Sequence, residues 1–119
     1  MTSRVLILGL DPYSVPGIEP APIAEALAEA GRRFAGTGLD AETVLLPLAE
    51  GVEQMAADAI SRGPWDCVVI GGGIRKPKEL LELFETIVNQ VRTLAPDAAI
   101  AFNSTGLDSL EAAQRALAA

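Results

Sequence analysis

The chain contains no histidine. That absence excludes the Ser-His-Asp and Cys-His mechanisms and removes the commonest zinc ligand, so no metal site is expected. A single cysteine, Cys67, rules out an internal disulfide, as suits a reducing cytoplasm. Aromatic residues make up only 4% of the chain, which leaves core packing to Ala, Val, Leu and Ile. Basic residues are also scarce: Lys and Arg number 9 against 16 Asp and Glu, the net charge is −7, and no basic run exceeds two residues. Nucleic acid is bound by displacing counterions from its phosphates, so it is not an expected partner. No segment reaches the roughly 20 apolar residues that span a bilayer, and the N-terminus opens on a charged strand rather than an apolar leader. A cytoplasmic protein with no membrane partner is the expectation.

What is present is an alternation of apolar runs and amphipathic stretches, within 119 residues of which half are hydrophobic. The length suits one domain, 1–119. Arg4–Leu10 (RVLILGL) and Trp65–Ile70 (WDCVVI) are continuous apolar runs, as expected of central strands covered on both faces. Thr43–Leu48 is a second strand; Pro47 cannot donate to a ladder and assigns it to an edge. Ala98–Asn103 is a fourth strand.

Four helices alternate with these strands. The first runs to about Ala35, with Ile23, Leu27, Ala30 and Phe34 on its buried side and Gly36 and Gly38 ending it. The second buries Val52, Met55, Ala56, Ala59 and Ile60. The third opens at Pro77, and its apolar residues from Leu80 to Ala95 fill an arc of about 160°, wider than the roughly 100° stripe of a helix on one sheet face. The surplus predicts a second contact, such as a subunit interface. The last helix starts near Asp108, where Asp108 and Glu111 resemble a capping box. Right-handed βαβ units then give a single doubly wound parallel sheet of four strands in the order 2-1-3-4, with helices on both faces. This is a flavodoxin-like winding without its last strand. The fourth strand is left as an open edge that a covering loop or a homodimer would protect.

In such a sheet the chain leaves strands one and three in opposite directions, and a crevice opens at their carboxyl ends. The two most unusual segments of the chain meet there. The first, Asp11–Pro20 (DPYSVPGIEP), is longer than the usual connection of about 2–6 residues. Asp11 follows the strand directly and has two readings: a carboxylate facing the crevice, or an Asp-Pro turn bonded to nearby amides. Tyr13 is either a lid residue or a surface-packing residue. The second segment is Gly71-Gly72-Gly73-Ile74-Arg75-Lys76-Pro77. Its glycines allow close backbone approach and an N–H nest for an anion, Arg75 offers a bidentate clamp and Lys76 a point charge. A tight strand-to-helix turn with two solvated charges is the structural alternative. Asn103, Ser104 and Thr105 end the fourth strand on the same rim, as ligand contacts or as local caps. Cys67 lies mid-strand and is expected to be buried packing.

Several known site patterns fail. A dinucleotide fingerprint needs a glycine turn after strand one, where this chain has Gly9-Leu10-Asp11-Pro12, and the later glycine run lacks the third glycine of that motif. No cofactor is therefore expected. A phosphate-accepting receiver domain requires an aspartate where Gly71–Gly73 stand.

WDCVVIGGGIR, the LLELFETIVNQV helix and the AFNST strand end resemble an uncharacterised family of small bacterial and fungal α/β proteins of flavodoxin-like or Rossmann-like build. The resemblance covers the second half well and the start through Asp11-Pro12 more loosely. It implies a basic residue after the glycine turn, matched by Arg75, and an Asn at the last strand's end, matched by Asn103. It also implies a histidine on the third helix, where Arg92 stands. It supplies a fold and a site position without a reaction.

The leading expectation is a cofactor-independent enzyme acting on a small anionic metabolite, a carboxylate or phosphate. The glycines, Arg75 and Lys76 would hold the ligand, with Asn103, Ser104 and Thr105 at the rim. Asp11 and Tyr13 would be the acid-base candidates, since without histidine proton transfer falls to carboxylate, Tyr or Lys. The rival is a non-catalytic ligand-binding or oligomerisation domain using the third helix and the free edge of strand four.

Overall fold

A computed structural model describes residues 2–118. Four parallel strands, β1 (Ser3–Leu10), β2 (Leu39–Leu46), β3 (Cys67–Ile70) and β4 (Ala99–Phe102), form one sheet in the order β2-β1-β3-β4 expected from the sequence. Five helices accompany them: α1 (Pro20–Arg32), α2 (Val52–Ser61), the single turn α3 (Gly72–Arg75), α4 (Leu81–Leu94) and α5 (Ser109–Ala118).

Side chains alternate across the central strands and build two apolar layers. Leu6, Leu8, Val68 and Ile70 point to one face, where Ala56 and Ile60 of α2 and Ile87 and Val91 of α4 cover them. Val5, Ile7, Cys67 and Val69 point to the other, beneath Phe34, Leu110 and Ala113. Cys67 is buried there, and burial, with a smaller push from Asp66, raises its thiol pKa to about 11.

Element boundaries and one expected cap depart from the sequence reading. β2 begins earlier and ends at Leu46, so Pro47 follows the strand instead of interrupting its ladder. α1 ends at Arg32, and the chain then turns through Gly36 and Gly38, whose φ of 76° and 82° few other residues adopt. The third helix does not open at Pro77. Pro77 is extended, with ψ 131°; α3 precedes it, and a 3-10 turn at Lys78–Leu80 leads into α4. The Asp108–Glu111 capping box does not form, because each side chain has a nearer partner. Asp108 turns back to the Ser104 and Thr105 N–H groups, and Glu111 pairs with Arg33.

The wide apolar arc is partly used within the chain. Leu83, Ile87 and Val91 take the buried stripe of α4, whereas Phe84 rests edge-on against Phe102 of β4, with ring centroids 5.9 Å apart. Leu81 and Leu94 stay exposed, as does Met55 of α2. β4 is the open edge expected. Its Ala99 N–H donates to Asp66 O, so the backbone groups of Ile100 and Phe102 face outward. Arg115 of α5 donates to Phe102 O at 3.0 Å and covers one of them. No described helix is long and apolar enough to cross a membrane.

Candidate functional site

The parallel pairing of β1 with β3 places their carboxyl ends side by side, and the pairing runs past the strand end where Gly71 N–H donates to Leu8 O at 2.8 Å. A crevice of about 400 Å³ opens at this rim. Gly9 and Leu10 end its floor, Gly71–Gly73 and Lys76 form one side, Asn103, Thr105 and Gly106 another, and Ile23 and Leu27 of α1 lean over it. The loop after β4 closes on α1 closely enough that a Cβ on Gly106 would lie 3.8 Å from Ala26 Cβ.

The glycine run brings its backbone close to β1. None of its three glycines has a positive φ; the chain instead passes from extended Gly71 straight into α3. A Cβ on Gly71 would lie 3.1 Å from Leu8 O, a backbone atom that the sheet holds in place, whereas one on Gly73 would meet Leu10 Cβ at an ordinary 3.5 Å. Gly72 N–H donates to Asn103 Oδ1 at 2.9 Å, and Asn103 Nδ2 donates to Ser109 Oγ at 3.2 Å. Asn103, only 4% exposed, thereby ties β4 to the first turns of α3 and α5. Among the described residues no protein acceptor takes the Gly73 N–H.

Arg75 and Lys76, adjacent in sequence, diverge. Arg75 donates to Asn103 O, lies over the Phe102 ring at 5.5 Å, and holds its Nε buried without a partner. It faces β4 and does not line the crevice, so the bidentate clamp expected of it is absent from this geometry. Lys76 does line the crevice. Its Nζ donates to Ser104 O at 3.0 Å, which leaves two of the three ammonium hydrogens free of that bond. Among the described residues Lys76 is the only charged side chain in the lining.

The remaining candidates divide between the rim and local caps. Asp11 stands at the end of β1, on the correct rim, but its Oδ1 accepts the Tyr13 N–H at 3.0 Å and caps the 3-10 turn Pro12–Ser14. Its own N–H donates to Leu46 O, toward β2, and Asp11 is not part of the crevice lining. Tyr13 is 68% exposed and likewise outside it. Thr105 reaches the crevice; Ser104 does not, and its N–H and hydroxyl both go to Asp108. Partial desolvation opposes the Asp108 charge, but hydrogen bonds from the Ser104 hydroxyl and the Thr105 and Ser104 N–H groups outweigh it and hold its pKa below the usual value. Arg92, where the resemblance implies a histidine, is exposed on α4 and away from the crevice.

Sequence reasoning missed the apolar wall. Ile23 and Leu27 were assigned to the stripe that packs on the sheet, yet only the later members Ala30 and Phe34 are buried, each 3% exposed, while Ile23 is 42% exposed. A crossover helix begins at the carboxyl rim of the strand before it, so its first turns overhang the crevice. That signal was available. Among the described residues no group of three or more Cys, Asp or Glu side chains is arranged to hold a metal ion. In comparisons with known proteins, the chain matches no family model and no curated protein.

Proposed function

We propose that this domain binds a small carboxylate- or phosphate-bearing metabolite in the crevice at the carboxyl ends of β1, β3 and β4. One observation carries the reading: in a chain of net charge −7, the only charged side chain lining the crevice among the described residues is a lysine, Lys76. The volume suits a metabolite, since such pockets span about 300–1,000 Å³. A cation amid a negative surface field is a local attractor for an anion. The Thr105 hydroxyl, which accepts the Leu107 N–H at 3.1 Å, keeps its own hydrogen to donate to a ligand.

Ligand binding is favoured over acid-base catalysis by Asp11, because that carboxylate is engaged in its turn and lies outside the lining. Thermal-shift titration against acetate, butanoate, succinate and inorganic phosphate tests the proposal. Saturable stabilisation by at least one of them, lost in Lys76→Gln and retained in Arg75→Lys, is the expected result. Absence of any saturable shift in the native chain would contradict it.

A further inference from the structure

We infer that the ligand is an apolar-bodied monoanion, its charged head at Lys76 and a branched, straight-chain or aromatic body lying along Leu10, Ile23 and Leu27. This inference rests on the anion-binding reading and narrows it to a chemical class.

The argument starts from α1, whose apolar stripe serves two purposes. Ala30 and, just past the helix, Phe34 are buried, Phe34 in the core beneath the sheet, but Ile23 and Leu27 on the same side of α1 line the crevice. A helix that only covered the sheet would gain nothing from a β-branched apolar residue at its exposed first turn. Single exposed apolar residues on a convex surface need no explanation; here Ile23 lines the same concavity as Leu10 and Leu27. The Lys76 and Thr105 side chains line it too. The lining thus sets one cation and a hydroxyl beside apolar side chains, and a ligand complementary to both has one charged end and one apolar end.

The charge count sets the head. A second negative charge would find no second cation in the lining among the described residues, because Arg75 is turned to Asn103 O and the Phe102 ring. The surrounding field of a chain of charge −7 further disfavours a dianion. One negative charge therefore fits, and the apolar body is what separates tight ligands from weak ones.

Calorimetric titration of the native chain with butanoate, hexanoate, octanoate, succinate and inorganic phosphate tests this. The expected result is an affinity that rises about fourfold per added methylene along the monocarboxylates, with succinate weaker than hexanoate. Ile23→Ser is expected to flatten that rise; Ile23 is exposed, so the fold does not rest on it. Equal affinity for all monocarboxylates, tighter binding of succinate or phosphate, or an unchanged rise in Ile23→Ser would overturn the inference and leave anion binding standing. Failure of every one of these ions to bind would remove both.

Discussion

The side-chain oxygen of Asn103 accepts the Gly72 N–H at 2.9 Å, and so the end of β4 fixes the turn that leaves β3. The same side chain donates to Ser109 Oγ, which makes one buried amide the link between three elements at the crevice rim. Replacing it with alanine removes the partner of the buried Ser109 hydroxyl and of the Gly72 N–H. Asn103→Ala is expected to lower stability by about 1–3 kcal/mol, read as a reduced urea midpoint at constant slope. An unchanged midpoint would show that the link is dispensable.

Two neighbouring glycines should behave oppositely. Gly71→Ala forces a methyl to 3.1 Å from Leu8 O, which sits in the central strand and cannot yield, so a loss of about 1–3 kcal/mol is expected. Gly73→Ala meets Leu10 at 3.5 Å in a helical turn with no positive φ. It should be neutral or stabilising by up to about 1 kcal/mol, because alanine is the better helix former. Paired denaturation curves of the two variants decide this, and equal losses would contradict it.

Acid should release the loop after β4. The Asp108 pKa lies below its ordinary value in the folded chain, so the carboxylate stabilises the fold above about pH 5 and loses that contribution as pH falls through the carboxylate range. Glu111 acts in the same direction through its bond from Arg33. Asp108→Asn keeps one acceptor oxygen but cannot titrate, and its melting temperature is expected to fall less steeply between pH 6 and pH 3 than that of the native chain. Identical slopes would assign the acid sensitivity elsewhere.

Cys67 should be inert while the chain is folded. With its pKa pushed up to about 11, only about one thiol in a thousand is ionised at pH 8, and the side chain is buried in the sheet. Labelling by a disulfide reagent is expected only in denaturant. Rapid native labelling would mean that β3 is accessible.

The open edge of β4 carries its own guard. Arg115 occupies the outward carbonyl of Phe102, and its removal leaves that acceptor free beside the exposed Phe102 ring. Arg115→Ala is expected to self-associate at lower concentration than the native chain in sedimentation velocity. Indistinguishable profiles would show that the arginine does not limit pairing at this edge.

The strand order was legible because β1 and β3 are written as unbroken apolar runs; β2 is the edge expected, but Pro47 follows it and does not set its ladder. Such runs occur only where both faces of a strand are covered, so composition alone places them at the centre. The Asp11 turn was legible as an alternative, and the structure takes it. The separation of Arg75 from Lys76 was not. Consecutive helical residues point about 100° apart, and which of them reaches the crevice depends on the phase of α3. A single turn begun by two glycines leaves no periodic signal from which to read that phase. Ile23 and Leu27 were read as core because periodicity reports which side of a helix is apolar, not how far along its length the sheet extends.

The account stands on the Lys76 side of the crevice as the place where an anion settles. Amide chemical-shift mapping of the uniformly labelled chain during titration with hexanoate reads that directly. The expected result is a single saturable set of shifts at Gly72, Gly73, Lys76 and Thr105, with Ile23 and Leu27 moving in step. Shifts confined to the Arg32–Arg33 surface or the Arg62 surface, or spread over the chain without saturation, would contradict it.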